Sequence, residues 1–142
     1  MKIRPYAATD ESAVIDLWQR CGLTRPWNDA SLDIRRKLSV QSDLFVVGEI
    51  GGSIVASAMA GYDGHRGWVN YLAVDPACRL KGLGRQLMAH LETGLQTLGC
   101  PKLNLQVRAG NADVLAFYRS LGYAVDDVVS LGKRLIVDER SA

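Results

Sequence analysis

One segment constrains the chain more than any other: Tyr71-Leu72-Ala73-Val74-Asp75-Pro76-Ala77-Cys78-Arg79-Leu80-Lys81-Gly82-Leu83-Gly84-Arg85, continued by Leu87, Leu91, Leu95 and Leu98. Its start reads as a strand stopped by Asp75-Pro76, and the leucine spacing predicts a long helix. A strand that passes through a glycine-bearing loop into a helix aims backbone N–H groups and the positive end of the helix dipole at one spot. That spot suits phosphate. Gly82 and Gly84 keep side chains away from the backbone there, while Arg79, Lys81 and Arg85 supply positive charge.

The rest of the chain is organised around this segment. A strand is expected over Lys2–Pro5, then a helix capped by Thr9 or Asp10, with Ala13, Val14, Leu17, Trp18 and Cys21 at helical spacing and Gly22 at its end. Pro26-Trp27-Asn28-Asp29 reads as a loop into a second short helix, capped by Asp29 or Ser31, with Ile34 and Leu38 on one face. Residues 44–50 and 53–59 are strand-like and joined by Gly51-Gly52, a pair suited to a tight hairpin. A third strand over 68–74 follows the glycine-punctuated turn 61–67. Beyond the leucine helix, Leu103, Leu105 and Val107 alternate as a strand that turns Gln106 to the opposite side from Leu105. Val114, Phe117, Tyr118 and Leu121 mark a helix closed by Gly122, and 128–137 is β-rich. An antiparallel meander followed by strand–helix units predicts an α/β (α+β) fold: a mixed, mostly antiparallel central sheet with helices on both faces.

Composition narrows the function. With 142 residues, no linker-like stretch and no repeat, the whole chain 1–142 is expected to form a single domain. A net charge of only +2 argues against nucleic acid as a partner. No apolar run reaches the roughly 20 residues needed to span a bilayer, and the start lacks a signal-peptide core, so no membrane partner and a cytoplasmic location are expected. Cys21, Cys78 and Cys100 are odd in number and scattered, which predicts reduced thiols and no metal site.

Two phosphate-binding motifs are excluded. A nucleoside-triphosphate loop needs Gly-x-x-x-x-Gly-Lys-Ser/Thr, which is missing. A dinucleotide fingerprint needs a third glycine where Leu87 stands and an acidic residue on the next strand, where 103–108 has none.

Arg79-x-x-Gly82-x-Gly84 after a Leu-Ala-Val strand, then Asn111-Ala112-x-x-x-x-Phe117-Tyr118 and Leu121-Gly122-Tyr123, resembles the GNAT superfamily of acetyl-CoA-dependent N-acetyltransferases. The matching order covers nearly the whole chain. Leu72-Ala73-Val74-Asp75-Pro76, Gly82-Leu83-Gly84-Arg85 and Leu105-Gln106-Val107-Arg108-Ala109-Gly110-Asn111 are similar to RimI-like enzymes. Arg25-Pro26-Trp27-Asn28-Asp29 and the 61–67 turn look like the YpeA-type bacterial branch. The resemblance implies acetyl-CoA as co-substrate, with the backbone of Leu72, Ala73 and Val74 pairing with the pantetheine arm and one N–H polarising the thioester carbonyl. It places the pyrophosphate on Arg79, Leu80, Lys81, Gly82, Leu83, Gly84 and Arg85, the coenzyme arm against Asn111, and the proton for the departing sulfur on Tyr118. The implied reaction is direct attack by a primary amine in a ternary complex, the acceptor being a small amine or a peptide or protein α-amine. A homodimer is a possible assembly.

Where RimI-like enzymes carry glutamate in a Leu-Glu-Val-Arg segment, this chain has Gln106, which can hydrogen-bond an amine but cannot take its proton. Deprotonation then falls to a water chain, or to Asp63 or His65 should the 61–67 loop fold over the cleft; an acceptor that arrives neutral needs neither. Cys78, His90, Trp27 and Tyr62 have structural readings at least as good as functional ones. The alternative function is a non-catalytic acyl-CoA-binding sensor of the same fold.

Overall fold

The computed structural model describes residues 1–138, which divide into two compact units, 1–105 with Asp138 and 106–137. In the first, strands β1 (Lys2–Pro5), β2 (Phe45–Ile50), β3 (Ser53–Tyr62), β4 (Gly67–Val74) and β5 (Leu103–Leu105) form one sheet in the order β1-β2-β3-β4-β5. The first four pair antiparallel and β5 lies parallel to β4. A parallel neighbour needs a crossover, and helix α3 (Leu83–Thr97) provides it. Gly51 and Gly52 turn the β2–β3 hairpin with φ of +58° and +80°, the left-handed pair that a two-residue connection demands.

Helices α1 (Glu11–Arg20) and α2 (Ala30–Leu38) bury Val14, Leu17, Trp18 and Ile34 against Phe45, Val47, Met59 and Ala73. Helix α3 covers the other face through Leu83, Leu87, Met88, Leu91 and Leu95. Its approach is close: a Cβ on Gly67 would stand 2.8 Å from Cys100 Sγ and 3.1 Å from Leu95 Cδ1. The expected mixed sheet with helices on both faces is therefore found in this unit.

Local chemistry settles the open alternatives. Asp29, and not Ser31, caps α2, its carboxylate accepting from Leu32 N at 3.1 Å. Asp10 stands at the N-cap of α1, but its carboxylate accepts from Arg4 at 2.7 and 2.9 Å and from Ala7 N, so Arg4 holds it below the usual carboxylate range. Leu38 and Leu98, at the ends of their helices, are exposed where the spacing predicted burial, as is Ala13.

The second unit contains helix α4 (Ala112–Ser120), closed by Gly122 at φ +94° as expected. Two strand expectations fail. β5 stops at Leu105, leaving Gln106 and Val107 outside it, and 128–137 forms no strand. Val128, Val129, Leu131, Leu135, Ile136 and Val137 are β-formers by type but are exposed and pair with no ladder, and β propensity without a packed face does not make a strand.

Candidate functional site

Strand β4 changes character along its length. Gly67, Trp68 and Val69 pair with β3 on one side and with Leu103, Asn104 and Leu105 on the other. From Asn70 onward there is no partner on the β5 side among the described residues. Met59 of β3 opposes Asn70 and Ser57 opposes Ala73, so Tyr71 and Leu72 together face the single residue Ala58. This is a β-bulge. Tyr71 takes φ +53°, a left-handed conformation that costs a residue with a side chain about 1–2 kcal/mol.

After the bulge Asp75 N–H donates to Val55 O at 2.7 Å, toward β3. Backbone groups alternate along a strand, so Val74 directs its N–H and C=O away from β3, to the open edge. The Val74 carbonyl there accepts the Cys21 thiol at 3.2 Å. An extended chain laid along 72–74 would find the Val74 N–H and the outward backbone groups of Leu72.

The loop beyond is built from an Asp-Pro turn. The Asp75 carboxylate accepts from Ala77 N at 2.9 Å, caps the single 3₁₀ turn Pro76–Cys78, and pairs with Arg20 of α1 at 2.7 Å. The Ala77 N–H first, and Arg20 second, hold its pKa below the ordinary carboxylate value. Leu80 and Gly82 both have positive φ, +66° and +76°. Gly82 is the N-cap of α3 and has no side chain to satisfy the first N–H groups of the helix, which carries no capping hydrogen bond. A Cβ on Gly82 would meet no protein atom within 4 Å, so its left-handed backbone, and not crowding, selects glycine in the free protein.

Arg79, Lys81 and Arg85 are exposed around this helix start, and none makes an ion pair among the described residues. By contrast Arg4, Arg20 and Arg36 are each matched to two carboxylates. Uncapped N–H groups and three uncompensated cations at the end of an open strand edge fit a pyrophosphate followed by a hydrogen-bonding arm. Coenzyme A has those two parts in that order.

The remaining predicted residues lie in the second unit. Tyr118 in α4 is 7% exposed, with its ring edge-on to Phe117 and Tyr123 at centroid distances of 5.0 and 5.7 Å. Burial pushes its pKa up to about 12, so the phenol keeps its proton throughout the neutral range. Asn111 caps α4, its Oδ1 accepting from Val114 N at 3.3 Å. Gln106 donates its side-chain amide to the Ser130 hydroxyl.

Asp63 and His65 occupy the β3–β4 turn at the Gly67 end of β4, about 17 Å of strand from Leu72. The Asp63 carboxylate accepts from His65 N, Arg66 N and Trp68 Nε1, and those backbone bonds lower its pKa. It holds the turn, a role that makes it a poor proton acceptor. The sequence did not point to Cys21 or to Tyr71. Burial raises the Cys21 pKa, partly offset by Arg79 beside it, and the Tyr71 ring packs on Trp18. A hollow of about 390 Å³ among Arg4, Asp10, Asp16, Arg20 and Glu49 holds none of the site residues. No group of His, Cys, Asp or Glu among the described residues could hold a metal, and no helix among them is long and apolar enough to cross a membrane.

Comparison with known proteins shows the family. The model of the acetyltransferase (GNAT) family matches residues 11–123. An acetyltransferase of Yersinia enterocolitica is 49% identical over 139 residues, covering 98% of this chain and 99% of its own. One from Pectobacterium atrosepticum is 50% identical over 138 residues, 97% of this chain and 98% of its own. Among solved structures, the ribosomal-protein-S18-alanine N-acetyltransferase of Escherichia coli superposes with a TM-score of 0.70 at 28% identity, covering 85% of this chain and 76% of the other.

Proposed function

The chain belongs to the GNAT family of acetyltransferases, and we propose that it takes the acetyl group of acetyl-CoA and passes it to a primary amine by direct attack in a ternary complex. The observation that carries the reading is the open edge of β4 at 72–74 running into the uncapped start of α3 among Arg79, Lys81 and Arg85, none of which makes an ion pair among the described residues. Acetyl-CoA, when bound, supplies an activated acyl carbon and a thiol leaving group. The protein supplies the rest. Leu72 and Val74 offer outward backbone groups to the pantetheine arm, with Ala73 between them paired to β3, and one of the outward N–H groups polarises the thioester carbonyl as negative charge grows on its oxygen. The backbone of the Arg79–Arg85 loop, Leu80 and Leu83 included, and the loop cations bind the pyrophosphate, and Asn111 contacts the arm.

Tyr118 donates a proton to the departing sulfur, and the acylated nitrogen releases the proton that replaces it. A buried phenol with a pKa of about 12 remains loaded at working pH. Gln106 can orient the acceptor but cannot deprotonate it. The acceptor therefore arrives neutral in part, as an α-amine with a pKa near 8 does and a lysine near 10.4 does not. A small amine or an exposed peptide α-amine fits, and the Escherichia coli relative is named for acetylation of an alanine. In this reading residues 1–142 work as one acetyltransferase domain in the cytoplasm, with a homodimer as a possible assembly.

Incubation of the purified protein with acetyl-CoA and a panel of small amines, α-amine peptides and lysine peptides, scored by free thiol, tests it. Acceptor-dependent thiol release with α-amines is expected. Tight acetyl-CoA binding with no release for any acceptor would make the protein a sensor, and release confined to lysine side chains would overturn the acceptor assignment.

A further inference from the structure

The acetyl-CoA reading leaves open what holds the β4 bulge in shape, and the side chain at the bulge answers. Tyr71 carries its ring 3.9 Å from that of Trp18, at an interplanar angle of 12°. Trp18 is fully buried in α1 and fixed to the sheet, its Nε1–H donating to the buried Ser57 hydroxyl at 2.9 Å. Ser57 is the β3 residue opposite Ala73, just past the bulge. At its far end the Tyr71 hydroxyl donates to Asp33 Oδ2 of α2 at 2.6 Å. The other oxygen of Asp33 accepts from Arg36, which in turn grips the buried carboxylate of Asp138 at 2.7 Å.

One residue in a conformation that L side chains avoid is thus held by a stacked ring on one helix and a short charge-assisted hydrogen bond to another. The next residue is Leu72, on the edge that has no β5-side partner among the described residues. We propose that Tyr71 is a positioning residue for acetyl transfer: its anchorage on Trp18 and Asp33 fixes the bulge, and through the bulge it aims the backbone N–H that polarises the thioester carbonyl. This inference rests on the acetyl-CoA reading. A hydrogen bond aimed at a carbonyl weakens steeply with misalignment, so the alignment of that N–H, and not the number of contacts to the coenzyme, is what Tyr71 controls.

The test is spectroscopic and needs no acceptor. Isotope-edited infrared spectra of acetyl-CoA labelled at the thioester carbonyl would be recorded bound to the wild type, Tyr71→Phe, Asp33→Ala and Asp33→Asn, with calorimetric affinity for acetyl-CoA and a thermal midpoint for each. Tyr71→Phe keeps the ring on Trp18 and removes only the bond to Asp33. The wild-type carbonyl band is expected below its position in water, displaced back toward it in Tyr71→Phe and Asp33→Ala, and restored in Asp33→Asn, whose amide oxygen still accepts the phenol. Affinity is expected to change less than threefold, because most of the coenzyme lies away from the carbonyl. A wild-type band position in Tyr71→Phe, with or without a lowered thermal midpoint, would reduce Tyr71 to a packing residue. Failure of the wild type to bind acetyl-CoA would instead sink the reading beneath the proposal, and is seen before any variant is made.

Discussion

The two ends of β4 belong to one strand and do different work. At Gly67, Trp68 and Val69 the strand has a neighbour on each side, and helix α3 approaches so closely that position 67 has no room for a Cβ. Among the described residues, 72–74 has a neighbour on one side only, and the chain leaves it through a loop with two left-handed residues and three cations that make no ion pair. A strand edge inside a sheet is normally paired or covered, because unpaired backbone groups invite other partners. Here the bulge at Tyr71 and the short β5 leave it open, and the difference between the ends separates a paired, covered end from the end proposed to bind coenzyme.

The largest expected effect breaks the chemistry while leaving both ends of β4 alone. Tyr118→Phe removes the proposed proton donor and keeps the ring among Phe117 and Tyr123, so turnover should fall about 10²- to 10⁴-fold with acetyl-CoA affinity unchanged. Steady-state thiol release checks this, and equal turnover would return Tyr118 to a packing role. Gly82→Val should weaken acetyl-CoA about 100-fold by calorimetry, since a branched side chain disfavours the left-handed backbone and stands where the pyrophosphate is expected. Gly82→Asn sharpens that result: asparagine tolerates the backbone, so any loss it retains measures occupied space alone.

At the other end of the strand, Gly67→Ala forces a Cβ against Cys100 and Leu95 and should cost about 1–3 kcal/mol of stability in denaturant melts. The folded variant should bind acetyl-CoA like the parent; a large affinity loss there would erase the distinction between the two ends. The smallest effect belongs to Lys81→Ala, a loss of roughly three- to tenfold in acetyl-CoA affinity that shrinks as salt is raised, as expected of an exposed cation facing an anion.

How much of this was legible in the sequence follows the same division. Segments whose structure is decided locally were readable: the Gly51-Gly52 hairpin, the start of α2 at Asp29 or Ser31, the glycine loop and the leucine face of α3 each follow from residues within a turn or two. The bulge was not, because it depends on how 57–59 and 70–73 register across two strands, and neither strand alone encodes the offset. The partnership of Tyr71 with Trp18 and Asp33 joins residues from three elements and leaves no local signature. Asp63 was misleading for a related reason: an aspartate in a glycine-rich turn suits a base and a turn-former equally, and its hydrogen bonds to His65 and Arg66 decide for the turn. Residues 128–137 carried β propensity without a partner, and propensity alone did not produce a strand.

The central claim is that the open end of β4, with the loop behind it, is the coenzyme site, and amide hydrogen exchange with and without acetyl-CoA tests it at the level of single N–H groups. In the free protein Val69, buried and paired on both sides, should exchange slowly, while Leu72, Val74 and the amides from Gly82 to Arg85 exchange faster. Saturating acetyl-CoA should slow Leu72, Val74 and the loop amides severalfold and leave Gly67, Trp68 and Val69 as they were. Protection that appears elsewhere in the chain, with Leu72, Val74 and the loop unchanged, would contradict the account.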